Sequence, residues 1–242
     1  MGVTNQQSGT RVDEIADGIF RIATPVREAP GGFSFNQYLI LDDEPLLYHS
    51  GPRQLLPLVR EAIASVMPVE RLSFLGFSHF ENDECGALNH FLAAAPEAVP
   101  VCGRINGLVN ADAFDRPPRV LEDGEALSLG RHSVQWIDAP HLPHAWECGH
   151  LAEESTRTLL CGDLFTQGGA EHAPLTSGDI LGPSEAFRRA LDYYSQTRDV
   201  QALMAKLAAT EPTTLACMHG SAWQGNGAAL LRALADSLDA RA

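Results

Sequence analysis

The stretch GFSHFENDECGALNHF, Gly76 to Phe91, decides how this chain is read. It follows the apolar run LSFLGF, Leu72 to Phe77, which has the continuous hydrophobicity of a strand covered on both faces. It then packs His79, Glu81, Asp83 and Glu84 into six residues, before a helical pattern starts near Gly86. A polar loop would account for the acids alone. However, an irregular segment at the carboxyl end of a buried strand is also a favoured place for a site. An imidazole and several carboxylates form a mixed nitrogen and oxygen donor set, which suits iron, manganese or zinc better than thiolate-seeking metals.

One cluster cannot fill a coordination sphere, so other segments must supply partners. WIDAPHLPHAWECGH follows an apolar strand and carries His141, His144 and His150. TLLCGDLF puts Asp163 at the end of a second strand, and TTLACMHGSAW puts His219 at the end of a third. A lone His or Asp at a strand end is usually a satisfied polar group. Four such strand ends in one chain point to convergence on a shared sheet edge.

Outward from these motifs, strands and helices occur in both halves. EIADGIFRIAT reads as two strands around the turn Asp17-Gly18. PRQLLPLVREAIASVM has helical spacing, and RINGLVNADAF reads as a further helix. A β-rich middle (EALSLG, HSVQWIDAP, GHLAEES, RTLLCGD) gives way to helices over 184–194 and 200–209, the strand TTLACMH and the helix GAALLRALADSLDA. No repeat, low-complexity tract or linker divides the chain. The expectation is an α/β (α+β) single domain over 1–242, with a polar tail over about 1–10 and helices layered on two packed sheets.

Composition excludes several classes. A net charge of −14 argues against a nucleic-acid partner, which requires a basic surface. No stretch is apolar over the ~18 residues a membrane span needs, and the start lacks the pattern of a signal peptide. The expectation is a cytoplasmic protein. The five cysteines form no CxxC pair, so neither a zinc ribbon nor a disulfide framework is expected. Cys85, Cys148, Cys161 and Cys217 lie close in sequence to candidate ligands and could hydrogen-bond to them.

The order H-x-E-x-D, then His, then Asp, then a His near the C-terminus resembles the metallo-β-lactamase superfamily. More narrowly, it resembles the oxygen-binding diiron domain of flavodiiron proteins. Hydrolytic members carry H-x-H-x-D-H, whereas Glu81 stands here in place of the second His. Eighteen residues separate His144 from Asp163, so His144 rather than His141 matches the family's third motif. The resemblance runs from about Val12 to Leu238 and implies a four-layer αβ/βα sandwich. By residue-for-residue carry-over it implies one metal on His79, Glu81 and His144, a second on Asp83 and His219, and Asp163 bridging both. Iron is the implied metal, with zinc or manganese as alternatives.

The chain departs from the pattern twice. Glu84 stands where relatives usually carry His. It could coordinate through oxygen, or point away and leave a position open. No flavodoxin-like domain follows the site, so a bound flavin is not expected and a separate electron donor is. The resemblance also implies a homodimer. The expected function is binding and reduction of O2 or NO at a dinuclear non-haem site. The alternative is a metal-dependent hydrolase of an ester, thioester or phosphoester, in which Asp83 would orient a bridging water. His49, which sits where relatives often carry Asp, could hydrogen-bond a ligand. Trp146 and Trp223 could wall the pocket, and residues 167–172 read as a mobile loop at its mouth.

Overall fold

The computed structural model describes residues 2–239. Seven strands form the first sheet in sequence order: β1 (Arg11–Ala16), β2 (Ile19–Val26), β3 (Phe33–Ile40), β4 (Leu46–Tyr48), β5 (Phe74–Gly76), β6 (Val99–Gly103) and β7 (Arg119–Leu121). The pairings up to β4 are antiparallel and those after it parallel. The second sheet is built from β8 (Ala126–Ser128), β9 (Ser133–Asp138), β10 (Gly149–Glu153), β11 (Thr158–Gly162), β12 (Leu175–Thr176), β13 (Thr214–Cys217) and β14 (Ala222–Gln224). Its spatial order is β12-β14-β13-β11-β10-β9-β8.

The helices are α1 (Leu56–Ala64), α2 (Asn82–Cys85), α3 (Leu88–Ala94), α4 (Arg104–Val109), α5 (Leu181–Leu191), α6 (Val200–Ala208) and α7 (Gly227–Asp239). Three apolar clusters match the three interfaces of a four-layer sandwich. One holds Val59, Ile63 and Phe91 of the helices against Leu39, Leu47 and Leu75 of the first sheet. Another holds Tyr38, Tyr48, Trp136, Leu151 and Leu160 between the sheets. The third holds Met204, Leu207, Leu231 and Leu234 against Ile137, Leu159 and Leu215. Neighbouring strand residues go to different clusters, as Tyr38 and Leu39 do, or Trp136 and Ile137. The period of two in a strand thereby feeds two cores at once.

Trp136 sets a local constraint between the sheets. A Cβ on Gly149 would lie 2.2 Å from its ring and one on Gly103 2.6 Å away, so only glycine allows both strands to approach it.

The structure departs from the sequence reading in several places. The polar segment before β1 is anchored at its end: Val12 N–H bonds to Gly2 O, and buried Thr10 pairs its hydroxyl with Thr24 at 3.1 Å. The segment read as irregular between His79 and Gly86 contains the helical turn α2. The helix expected over 184–194 ends at Leu191, because Asp192 takes a left-handed φ of 51°. Strands β7, β12 and β14 have two or three residues and no pattern to betray them.

At the β10–β11 turn, Glu153 accepts bonds from Ser155 N (3.0 Å), Thr156 N (2.8 Å) and His132 Nδ1 (3.0 Å). Burial acts to raise its pKa, but these donors and the Ser155 and Thr156 hydroxyls outweigh it and hold the carboxyl at about 2. The ordinary value is 4.5, so the stabilisation is complete above that pH and is lost as pH falls toward 2. In metal-free protein, Glu153→Gln should lower unfolding free energy by on the order of 2 kcal/mol at pH 7. The gap to wild type should close below about pH 3. Denaturant titrations at both pH values test this, and a gap that persists in acid would refute it.

Candidate metal centre

The two sheets bring the chain's polar strand ends to one edge. His79 follows β5, Asp163 follows β11, His219 follows β13, and His144 lies in the loop between β9 and β10. Glu81 precedes α2 in extended conformation, while Asp83 and Glu84 sit on its single turn.

Two donor groups result, each with ligand atoms within 4.8 Å of one another: His79, Glu81, His144 and Asp163; and Asp83, Glu84 and His219. Glu81 Oε2 lies 3.1 Å from His79 Nε2 and 2.9 Å from His144 Nε2. His219 Nε2 lies 3.4 Å from Asp83 Oδ2. Asp163 faces both groups. Its Oδ2 is 3.7 Å from His144 and 4.0 Å from His79, and its Oδ1 is 3.2 Å from His219.

All three imidazoles aim Nε2 inward. His219 Nδ1 donates to Ser34 O at 2.8 Å, which fixes the tautomer with the inner nitrogen free to ligate. His79 Nδ1 lies 2.9 Å from Ser78 Oγ, which is 3.1 Å from His49 Nε2. His49 thus reaches His79 through a serine that sequence reading passed over.

Without a cation the groups lean on one another electrostatically. Burial works to lower His219, but Asp163 and Asp83 raise its pKa to about 10. His144 and His79 hold Glu81 at about 2. Burial works to raise Asp163, and the three histidines nevertheless hold it below the usual carboxylate range. Glu84 is the exception. Burial, then Asp163 and Asp83, push its pKa well up. Its side chain is fully buried, and neither carboxylate oxygen has a hydrogen-bond partner. The nearest imidazole nitrogen is His79 Nε2, 3.8 Å away. A buried, unpartnered carboxylate beside a cluster of imidazole and carboxylate donors calls for a cation, and the donor set therefore fits metal.

His141 joins neither group. It sits in a left-handed turn (φ 63°) closed by its N–H to Ala145 O, with the side chain exposed. His150 is fully buried and donates from Nε2 to Leu142 O at 3.0 Å, bracing the loop that carries His144. Of the cysteines, Cys85 meets a candidate ligand's backbone, Glu81 O, at 3.1 Å; the thiols of Cys148, Cys161 and Cys217 bond to Leu142, Leu159 and Leu215 carbonyls.

Trp146 is 55% exposed, and Trp223 bonds Gly178 O. The rings against the ligands are others. Phe33 stacks on His219 at 4.3 Å, Phe35 meets it edge-on, and Tyr193 lies edge-on to His144 while donating to Asp163 O. Phe33 and Phe35 share one face of β3 by alternation, a signal available in the sequence. Tyr193 had none, because it depends on where α5 stops. Residues 167–172 are tied down: buried Gln167 bonds Ser221 O and accepts from Ser221 N, and Gly169 N–H bonds Gly32 O.

The family model described as ODP family beta lactamase matches residues 33–220. The chain belongs to that family. Among curated proteins, the rubredoxin-oxygen oxidoreductase of Megalodesulfovibrio gigas is 26% identical over 144 residues, covering 57% of this chain and 35% of that protein. The nitric oxide reductase of Moorella thermoacetica is 27% identical over 171 residues, covering 63% and 41%. This ODP-family chain therefore spans well under half the length of either relative. A single-residue variant of the flavo di-iron protein from Thermotoga maritima superposes with a TM-score of 0.81 at 16% identity, over 93% of this chain and 61% of that one. The fold is thus the metallo-β-lactamase-like core of flavodiiron proteins. Among the described residues, no helix is long and apolar enough to cross a membrane.

Proposed function

We propose that this domain holds two metal ions, iron in the native protein, and reduces O2 or NO with electrons from a separate donor. The observation that carries the reading is the split of Asp163, with one oxygen toward His79 and His144 and the other toward His219. One carboxylate serving two donor groups keeps two cations close together, as two-metal chemistry needs. In this reading His79, Glu81 and His144 hold one ion, Asp83, Glu84 and His219 hold the other, and Asp163 bridges.

The seven residues offer only imidazole and carboxylate donors, three and four respectively. That hard, anionic set favours iron or manganese over zinc and favours the oxidised state of a redox metal. When bound, a ferrous pair supplies a position for a diatomic molecule and electrons for its reduction. The chain's own residues orient and exclude: Ser34 and Ser78 fix the His219 and His79 rings, and Phe33 and Phe35 keep the His219 side apolar. The names of the M. gigas and M. thermoacetica relatives support O2 and NO as substrates, and the first points to a small one-electron carrier as donor.

The test is to load the protein anaerobically with Fe(II), count metal per chain, and follow O2 and NO uptake in the presence of a chemical reductant. Two irons and reductant-dependent uptake are expected. Preferential zinc loading with ester or phosphodiester hydrolysis and no gas uptake would replace this reading with the hydrolase.

A further inference from the structure

The loop that carries His144 is closed on itself. His141 N–H bonds Ala145 O at 2.8 Å, Cys148 N–H bonds Ala145 O at 3.3 Å, and Ala139 N–H bonds Cys148 O at 2.9 Å. Two further bonds seat it against the ligand segment that follows β5. Gly149 N–H donates to Ser78 O at 2.9 Å, and Phe80 N–H donates to Glu147 Oε1 at 3.0 Å. In an antiparallel ladder the bond paired with the first would run from Phe80 N–H to the backbone carbonyl of residue 147. The Glu147 side chain takes the place of that carbonyl. Since β5 belongs to the first sheet and β10 to the second, the two bonds tie the sheets together at the metal edge.

Phe80 is the residue on which the ligand spacing turns. It stands between His79 and Glu81, and Glu81 N–H reaches back to His79 O at 3.1 Å. The Phe80 ring is left outside, 42% exposed. Its N–H needs an acceptor, and Glu147, 67 residues away and itself buried, supplies one. A carboxylate makes the charge-assisted, stronger form of such a bond. Across the same junction Glu81 Oε2 meets His144 Nε2 at 2.9 Å and His79 Nε2 at 3.1 Å.

We propose that Glu147 is a positioning residue for the metal held by His79, Glu81 and His144. Its carboxylate latches the His144 loop to the turn at Phe80, and so sets how His144 faces the other two ligands. The inference rests on reading these three residues as ligands of one ion, and it does not need the second ion. A side chain in this role is exacting about reach and tolerant of charge. Glutamine keeps an oxygen at the same distance, whereas aspartate keeps the charge and falls one methylene short. The group of Asp83, Glu84 and His219 takes no residue from the His144 loop, so Glu147 should leave it alone.

Cobalt(II) titrations of the metal-free full chain, followed by visible absorption, test this. Two backgrounds isolate the donor groups: His219→Ala keeps the first complete, and His79→Ala the second. In His219→Ala, adding Glu147→Asp or Glu147→Ala should weaken cobalt binding about 10–100-fold. Adding Glu147→Gln should keep affinity within about threefold of the parent. In His79→Ala none of the three should shift affinity by more than about threefold. Loss with glutamine but not with aspartate overturns the proposal, because charge rather than reach would then matter. Equal losses in both backgrounds overturn it as well, since a general weakening of the fold acts on both groups. So does unchanged affinity throughout. The comparison of aspartate with glutamine decides even if Glu147→Ala does not fold. A His219→Ala parent that binds no cobalt is a different failure: it removes the reading of His79, Glu81 and His144 as ligands, and the proposal with it.

Discussion

Asp163→Asn should cost the protein its second metal ion and lower O2 or NO turnover to about 1% of wild type or less. The substitution keeps shape and removes charge, and the charge is what both donor groups share. Asp163 Oδ1 is 3.2 Å from His219 and Oδ2 is 3.7 Å from His144. An amide offers one oxygen instead of two and turns an NH2 toward whichever cation it fails to ligate. Losing merely a supporting contact of a metal ligand typically costs about 10–100-fold in affinity or activity, and losing a bridge removes a ligand from both ions at once. Metal content after dialysis against buffered Fe(II), with turnover on the same sample, measures this. His141→Ala is the matched control and should retain two ions, since His141 is exposed and outside both donor groups. An Asp163→Asn protein that binds two irons with wild-type affinity would sink the bridging role. Circular dichroism of the metal-free variant separates loss of metal from loss of fold.

How far the sequence could be read follows from what each feature depends on. His79, Glu81 and Asp83 are legible because the information is local: a buried strand ends and donors follow at spacing two. His144, Asp163 and His219 are legible only together, since each sits at a strand end that could belong to any sheet. The layering was foreseeable because strands such as β10 and β11, buried along their whole length, need cover on both faces. Other features depend on the chain's path in three dimensions. Ser78 relays to His49 across 29 residues of sequence, and Ser34 braces His219 across 185. The direction of Glu84 was open because it shares one helical turn with Asp83, and only the seating of α2 decides which acid turns in. Asp83 remains 23% exposed and Glu84 is fully buried.

That difference leads to the second large effect. Glu84→Gln should stabilise the metal-free protein while weakening metal binding, a crossing that a purely structural residue would not produce. In the metal-free state Glu84 is a buried carboxyl between Asp83 and Asp163, and neither oxygen receives a hydrogen bond. An uncompensated buried charge costs several kcal/mol, or the group must take up a proton to avoid it. Glutamine has the same volume, carries no charge and can donate to either neighbouring aspartate. The metal-free variant should therefore melt about 4–8 °C above metal-free wild type, corresponding to about 2 kcal/mol. In the loaded state the balance reverses. A carboxylate that faced a cation becomes a weak amide donor, and affinity for the ion held by Asp83 and His219 should fall about 10–100-fold. Melting curves with chelator and with saturating Fe(II), together with metal titrations, give both halves. If Glu84→Gln left both unchanged, Glu84 would be a neutral core residue and that ion would rest on Asp83, Asp163 and His219. If it destabilised the metal-free protein, the carboxyl would be a proton donor within the fold. Only the crossing identifies Glu84 as an oxygen ligand of the ion held by Asp83 and His219.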